Sequence, residues 1–234
     1  MSTVDSKTHI AGILQPSFLP WLGYIAQIHR SDTFVLYDDA QFDKNSWRNR
    51  NRIKTAAGVK WLTVPVQTKG ALGAIIREVR VDNSRNWSRK QLATVKQSYS
   101  KAACFSEHED LLHKIFETEW DFLLDLNVFA LQEVLARLGL KRRIVLSSEL
   151  NTEGRATERL VNICQAIGAN HFFEGAAGRD YIDETVFAQH GITLEYQDYH
   201  HPEYRQLHGP FVSHLSILDL LLNCGPHSLE ILCT

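Results

Sequence analysis

Cysteine is scarce and scattered in this chain. Cys104, Cys164, Cys224 and Cys233 form no CxxC pair, which argues against a disulfide framework and a structural zinc site and suits a reducing cytoplasm. No apolar run approaches membrane-spanning length, and the polar segment Met1 to Thr8 lacks the apolar core of a secretion signal. A cytoplasmic protein without a membrane partner is the expectation. Positive charge is not in excess either: 25 Lys and Arg against 27 Asp and Glu leave a formal charge of -2, which argues against general nucleic-acid binding. A Walker-type loop, a GxGxxG fingerprint, a GxSxG elbow and an HExxH motif are all absent. The residues therefore name no cofactor, and no metal is expected even though His208 and His214 follow His201 closely. No repeat, low-complexity tract or linker divides the chain. Its 234 residues, 44% hydrophobic, suit a single α/β domain over residues 1–234.

What is present is organised around residues 32–54, SDTFVLYDDAQFDKNSWRNRNRIK without its first Ser. Thr33 to Tyr37 has the β-branched and aromatic make-up of a buried strand, and Asp38 and Asp39 follow at its carboxyl end, where open α/β sheets bind ligands. Successive strand side chains face opposite ways, so at most one of the two acids is expected to face a given ligand; an Asx turn is the competing account. Gln41, Lys44, Trp47, Arg48, Asn49 and Arg50 come next, a mixture suited to fixing planar anions by forked hydrogen bonds and stacking. From Arg48 the bases recur at every second position, through Arg52 to Lys54. In an extended strand they share one face, which reads as an anion site or as a solvated hairpin face.

Before this stretch, His9 to Leu14 predicts a first strand, and Gln15-Pro16 with Pro20 forces a turn before an apolar helix. Gly23 would let the backbone approach a partner closely there, and Trp21 and Tyr24 are candidates either to stack on a ligand or to pack the helix. After it, Asn51 to Lys54 and Lys60 to Val66 predict a hairpin, Ile75 to Val81 a strand, Asn83 to Ser100 a helix, and about Ser106 to Leu138 a helical region broken near Thr118. Arg143 to Leu146, ending at Ser147-Ser148, then a helix to Ala166 and a strand His171 to Glu174 give a βαβ unit. The loop Glu174-Gly175-Ala176-Ala177-Gly178 leaves that strand with small residues, as a chain does when its backbone passes close to something. A short helix Asp183 to His190 and a strand Ile192 to Tyr196 follow.

The last polar loop, Asp198 to Gln206, gathers Tyr199, His200, His201, Tyr204 and Gln206 directly after a strand. Histidine is the natural general base, because its pKa starts near neutrality, and His201 is the preferred candidate. A solvated loop with a capping histidine is the alternative.

Taken in order, LQPSFLPWLGYIAQI, the residue 32–54 stretch with WLTVPV, SSELNTEGRATERLVNIC, FFEGAAGRDYID and HHPEYRQLHGPFVSHLSILDLLLNCG resemble the WbqC-like protein family across nearly the whole chain. The resemblance implies association with surface-polysaccharide and other specialised biosynthetic pathways, and no common reaction. Two departures fall beside candidate loops: Ser213-His214 stands where proline is common, and Glu174 where a small polar residue is common. The opening, from first strand through WLGY to DDAQF, is also similar to HUP-type nucleotidyltransferases and adenylate-forming ligases. Trp21 and Tyr24 stand where those proteins carry phosphate-binding histidines, so only the fold is carried over.

The expected architecture is thus Rossmann-like and HUP-like at its start, with a β-hairpin and a helical insertion. The expected function is a transferase joining an activated acyl or aminoacyl donor to a small amine or hydroxyl acceptor. His201 and Asp38 are its catalytic candidates. Gln15, Trp21, Tyr24, Asp39, Gln41 and the 44–50 segment are the substrate-binding candidates of the first half, and Ser148, Glu174, Gly175, Tyr204 and Gln206 those of the second. A nucleotide-dependent ligase and a non-catalytic binding or scaffold protein are the alternatives. The partner is a small anionic substrate or activated donor, free or carrier-linked; no oligomeric state follows.

Overall fold

A computed structural model describes residues 7–43, 45–67 and 73–234. The chain divides into two compact units, one of Met1–Leu14, Ala26–Tyr37 and Arg142–Tyr199, the other of Gln15–Ile25, Asp38–Lys141 and His200–Thr234.

The first unit is a five-stranded parallel sheet. Its strands are β1 (Ile10–Leu14), β2 (Thr33–Leu36), β5 (Arg143–Leu146), β6 (His171–Glu174) and β7 (Thr193–Tyr196), in the order β5-β2-β1-β6-β7. The four strands expected near residues 10, 35, 145 and 172 all belong to this one sheet. The order runs outward from β1 on both sides, the Rossmann-like pattern, and it reverses between β1 and β6. Ala11, Ile13, Val35 and Phe172 pack with Val161, Ile163 and Cys164 of α5 (Ala156–Ala166) and with Phe187 of α6 (Glu184–Gln189). Phe172 and Phe187 stack at 5.1 Å. A short side chain is required at Gly12 in the central strand: a Cβ there would lie 2.5 Å from Ser31 Oγ and 2.8 Å from the Phe34 ring.

The helix α1 (Leu22–Arg30) carries the chain from the second unit to the first. The second unit holds the hairpin β3 (Arg50–Thr55) and β4 (Gly58–Thr63), then α2 (Trp87–Tyr99), α3 (Phe105–Phe116), α4 (Leu123–Arg137), α7 (Ile217–Cys224) and α8 (Ser228–Leu232). The break expected near Thr118 is the gap between α3 and α4. Two expectations are corrected here. Ile75 to Val81 is not a strand but a single 3-10 turn, Ile76–Glu78, between isolated bridges, because Ile76 and Val79 are both buried and a spacing of three matches a helical turn. The helix expected from Asn83 begins at Trp87, since Asn86 takes a φ of 27° and Asp82 caps a separate turn at Ser84.

Gly12→Ala should lower the unfolding free energy by roughly 1–3 kcal/mol, the usual cost of overpacking a filled core. Urea unfolding checks this; an unchanged midpoint would mean that the layer over β1 has slack.

Candidate functional site

In the second unit the prolyl turn, the basic hairpin and the histidine loop are joined. Asn51, fully buried on β3, donates to Phe18 O and Leu19 O, and Ser17 Oγ donates to Trp47 O at 2.8 Å. Ser216 N donates to Arg52 O, and Ile217 N to Pro20 O. The turn is thus bonded to β3, to Trp47 just before it and to α7. Gly23 does allow a close approach, but by Trp21's own indole, whose ring carbons would lie 2.2–2.6 Å from a Cβ there. Tyr24 is buried and donates to Gln15 O, while the Gln15 Oε1 acceptor is buried without a hydrogen-bond partner. Burial raises the Tyr24 pKa, against the pull of the Arg48 charge.

Arg50, Arg52 and Lys54 share one face of β3, as the alternation predicted, whereas Arg48, where that alternation starts, lies in the turn before the strand. They do not share an environment. Lys54 is 3% exposed, and its Nζ donates to Gln206 Oε1 at 3.2 Å, to Gly209 O at 3.1 Å and to Pro210 O. Arg52 Nη2 donates to His214 O at 2.9 Å. The Arg50 guanidinium lies 4.3 Å from the Trp61 ring centre. Asn49 is buried and bonds Val64 O, so it closes the hairpin base; Asn127 of α4 donates to Arg48 O.

The loop after residue 200 has no regular secondary structure, and a buried polar network holds it. Asp219 in α7 is fully buried and accepts from Tyr99 Oη at 2.7 Å and from Tyr204 Oη at 2.9 Å. Burial raises the Asp219 pKa, while the two hydroxyls and the Lys54 charge oppose that rise. Gln206 spans the loop by bonding both Val212 N and Val212 O. Tyr204 and Gln206 therefore support the loop.

His201 sits in the aromatic group so formed, with Phe211 at 5.5 Å and His214 at 5.4 Å between ring centres; His214 in turn stacks on Trp21 at 5.1 Å. His201 Nδ1 lies 2.9 Å from Pro202 O, which can only accept, so Nδ1 carries the proton and the neutral ring keeps its lone pair on Nε2. Burial pulls the His201 pKa below its usual value, and this prevails over the bond to Pro202 O, which acts the other way. His214 takes a φ of 58°, which a proline, fixed at about -65°, could not adopt.

Of the other candidates in this unit, Asp38 is fully buried and its carbonyl accepts from Arg77 N. Asp39 is half-buried, Gln41 is exposed and bridges Ile75, and Lys44 lies outside the described residues.

In the first unit, Glu174 ends β6 at the point where the strand order reverses. It is 2% exposed, accepts from Gly175 N at 2.8 Å, and burial pushes its pKa up to about 8, so it is largely protonated at neutral pH. The small residues after it do answer to a close approach, that of Glu174 itself: a Cβ at Gly178 would lie 2.4 Å from Glu174 Cγ. Ser148 is half-buried in the turn Ser147–Glu149 after β5. The Cys164 thiol is pushed up to about 12 by burial and by Glu174, which leaves it inert as a nucleophile. An open groove of about 600 Å³ between α6 and β7, lined by Phe187, Ile192 and Leu194 among others, contains none of the residues singled out from sequence.

Sequence reasoning missed Asn51, Tyr99 and Asp219. A signal existed for the last: Asp219 is the single charged residue in the apolar run LSILDLLLNC.

A Rossmann-like α/β chain with a helical insertion, a tryptophan-lined basic hairpin and a clamped histidine loop is thereby defined. The chain belongs to the WbqC-like protein family, whose model matches residues 15–231. It is 40% identical over 215 residues to "Uncharacterized protein Rv1507c" of Mycobacterium tuberculosis, covering 91% of this chain and 93% of that one. No solved structure matches it. Among the described residues, no helix is long and apolar enough to cross a membrane.

The raised Glu174 pKa has a defined sign in stability. Between the usual 4.5 and about 8 the unfolded chain has lost this proton and the folded chain keeps it. Stability therefore falls as pH rises through that window, at up to about 1.4 kcal/mol per pH unit. Glu174→Gln removes this dependence, so unfolding free energies of the variant at about pH 5 and 8.5 should differ less than those of the wild type. Equal differences would mean that Glu174 is ionised in the folded chain.

Proposed function

We propose that the protein is a biosynthetic transferase joining an activated acyl or aminoacyl donor to a small amine or hydroxyl acceptor in glycan or specialised-metabolite assembly. The observation that carries this reading is the state of His201: its Nδ1–H is engaged by Pro202 O, its pKa is lowered by burial, and its loop is bonded to the basic face of β3. A neutral imidazole with a fixed tautomer is what a general base requires. In this reading Nε2 takes the proton from the acceptor amine or hydroxyl as the acceptor's electron pair attacks the donor carbonyl carbon. The leaving group departs with its bonding pair, and the imidazolium returns the proton to it. The 44–50 segment holds the anionic part of the substrate, and Asp38 orients the acceptor. Membership of the WbqC-like family, whose resemblance implies polysaccharide and specialised biosynthesis, supports the pathway context, and the raised pKa values of the Cys164 and Cys224 thiols argue against either as a nucleophile.

Calorimetric titration with nucleotide-linked amino sugars, acyl and aminoacyl donors and nucleoside triphosphates identifies the donor class. With a substrate in hand, His201→Ala should lower turnover by about 100-fold to 10,000-fold at unchanged unfolding midpoint, and His200→Ala should do much less. Near-normal turnover of a stably folded His201→Ala protein removes the proton-transfer role.

A further inference from the structure

Four side chains at the hairpin, Trp47 in the turn before it, Arg50 and Arg52 on β3 and Trp61 on β4, have no place in that proton-transfer step. Trp47 and Trp61 are exposed by 40% and 38%, unusual for tryptophan, and their ring centres are 5.2 Å apart. Their planes are tilted by 48°, so neither ring covers the other face to face. Arg50 lies over Trp61, and Arg52 lies 5.6 Å from the centre of Trp47. Neither guanidinium meets a carboxylate among the described residues, and the Nε donor of each is buried without a hydrogen-bond partner. A buried charged donor left in this state is costly unless an acceptor completes it.

We infer that the Trp47–Trp61–Arg50–Arg52 face binds a nucleoside diphosphate group, its base stacked on the tryptophan pair and its phosphates held by the two arginines. The inference rests on the proposed anion-binding role of the hairpin and supplies its ligand class; it does not involve His201. Same-face positions on a strand have Cα atoms about 7 Å apart, a gap that two long arginine side chains can close to give one fork to each phosphoryl group of a diphosphate. The bond from Arg52 to His214 O and the stacking of Arg50 hold the forks in place before a ligand arrives. An aromatic face beside guanidinium donors is the combination by which unpaired bases are bound without sequence readout. The overall charge of -2 provides no broad basic face for a polymer, which favours a mononucleotide.

The test is calorimetric titration of the full chain with UDP, ADP, the two nucleosides, inorganic pyrophosphate and glucose 1-phosphate, with indole fluorescence followed in parallel. At least one diphosphate should bind about 10-fold more tightly than pyrophosphate and than its own nucleoside, and quench the indole signal. Trp61→Ala should weaken that binding by about 5-fold to 150-fold and leave pyrophosphate within roughly twofold. Arg50→Lys and Arg52→Lys should each weaken diphosphate and pyrophosphate alike, by about 10-fold, since Lys keeps the charge but loses the fork. Circular dichroism and thermal unfolding establish that each variant is folded; because Arg52 also anchors the loop, Arg50→Lys stands alone if Arg52→Lys does not fold. The inference is overturned if neither diphosphate binds, if pyrophosphate binds equally well, or if glucose 1-phosphate equals the diphosphates. His201→Ala should bind the diphosphate as the wild type does, so loss of binding and loss of turnover report on separate claims.

Discussion

A carboxylate removed from water must be given hydrogen bonds or it destabilises the fold by several kcal/mol, and Asp219 is the residue on which this constraint falls. Its two oxygens are each occupied by a tyrosine hydroxyl, one from α2 and one from the loop after residue 200. Tyr99 Oη also accepts from Lys54 N on β3, and Lys54 Nζ reaches three oxygens of the same loop. Helix, hairpin and loop are thus held by one connected set of bonds, every one of which is needed to satisfy a buried group. A loop with no ladder of its own acquires a defined conformation in this way, and with it His201 acquires a defined orientation.

Burial favours the neutral form of two groups in the chain. His201 is held neutral in an aromatic group of the second unit, and Glu174 is held protonated at the strand-order reversal of the first. Burial is the dominant cause in both cases, and it acts in opposite directions on a base and an acid because in each it disfavours the charged form. The arginines of β3 meet a different surrounding: Arg50 lies 4.3 Å from the centre of the Trp61 ring and Arg52 5.6 Å from that of Trp47. The family match extends over residues 15–231 and so covers all of these groups.

The strands of the parallel sheet were legible because their apolar runs are short, β-branched and bounded by turn residues. The common face of Arg50, Arg52 and Lys54 was legible from alternation alone. What alternation could not say is that Lys54 would be buried by a loop more than 150 positions later in the chain, nor that the tolerance for glycine at Gly23 and Gly178 would be taken up by Trp21 and Glu174. The first is a long-range contact that no local pattern encodes; the other two are local in sequence, but which side chain fills the space beside a glycine depends on backbone geometry rather than on residue type. The Ile75 to Val81 segment misled for a related reason: its apolar positions fit a strand, and a single helical turn satisfied the same burial. Asp219 is the instructive case, since one acid within an apolar helix should prompt a search for the donors that it requires.

Nitrogen NMR of the chain with 15N-labelled histidine, with His201 assigned by its disappearance in His201→Asn, tests the central claim directly. The account predicts a neutral ring at pH 7, protonated on Nδ1, whose titration midpoint lies below about 6.5. A His201 that titrates above that value, or that carries its neutral proton on Nε2, would contradict it.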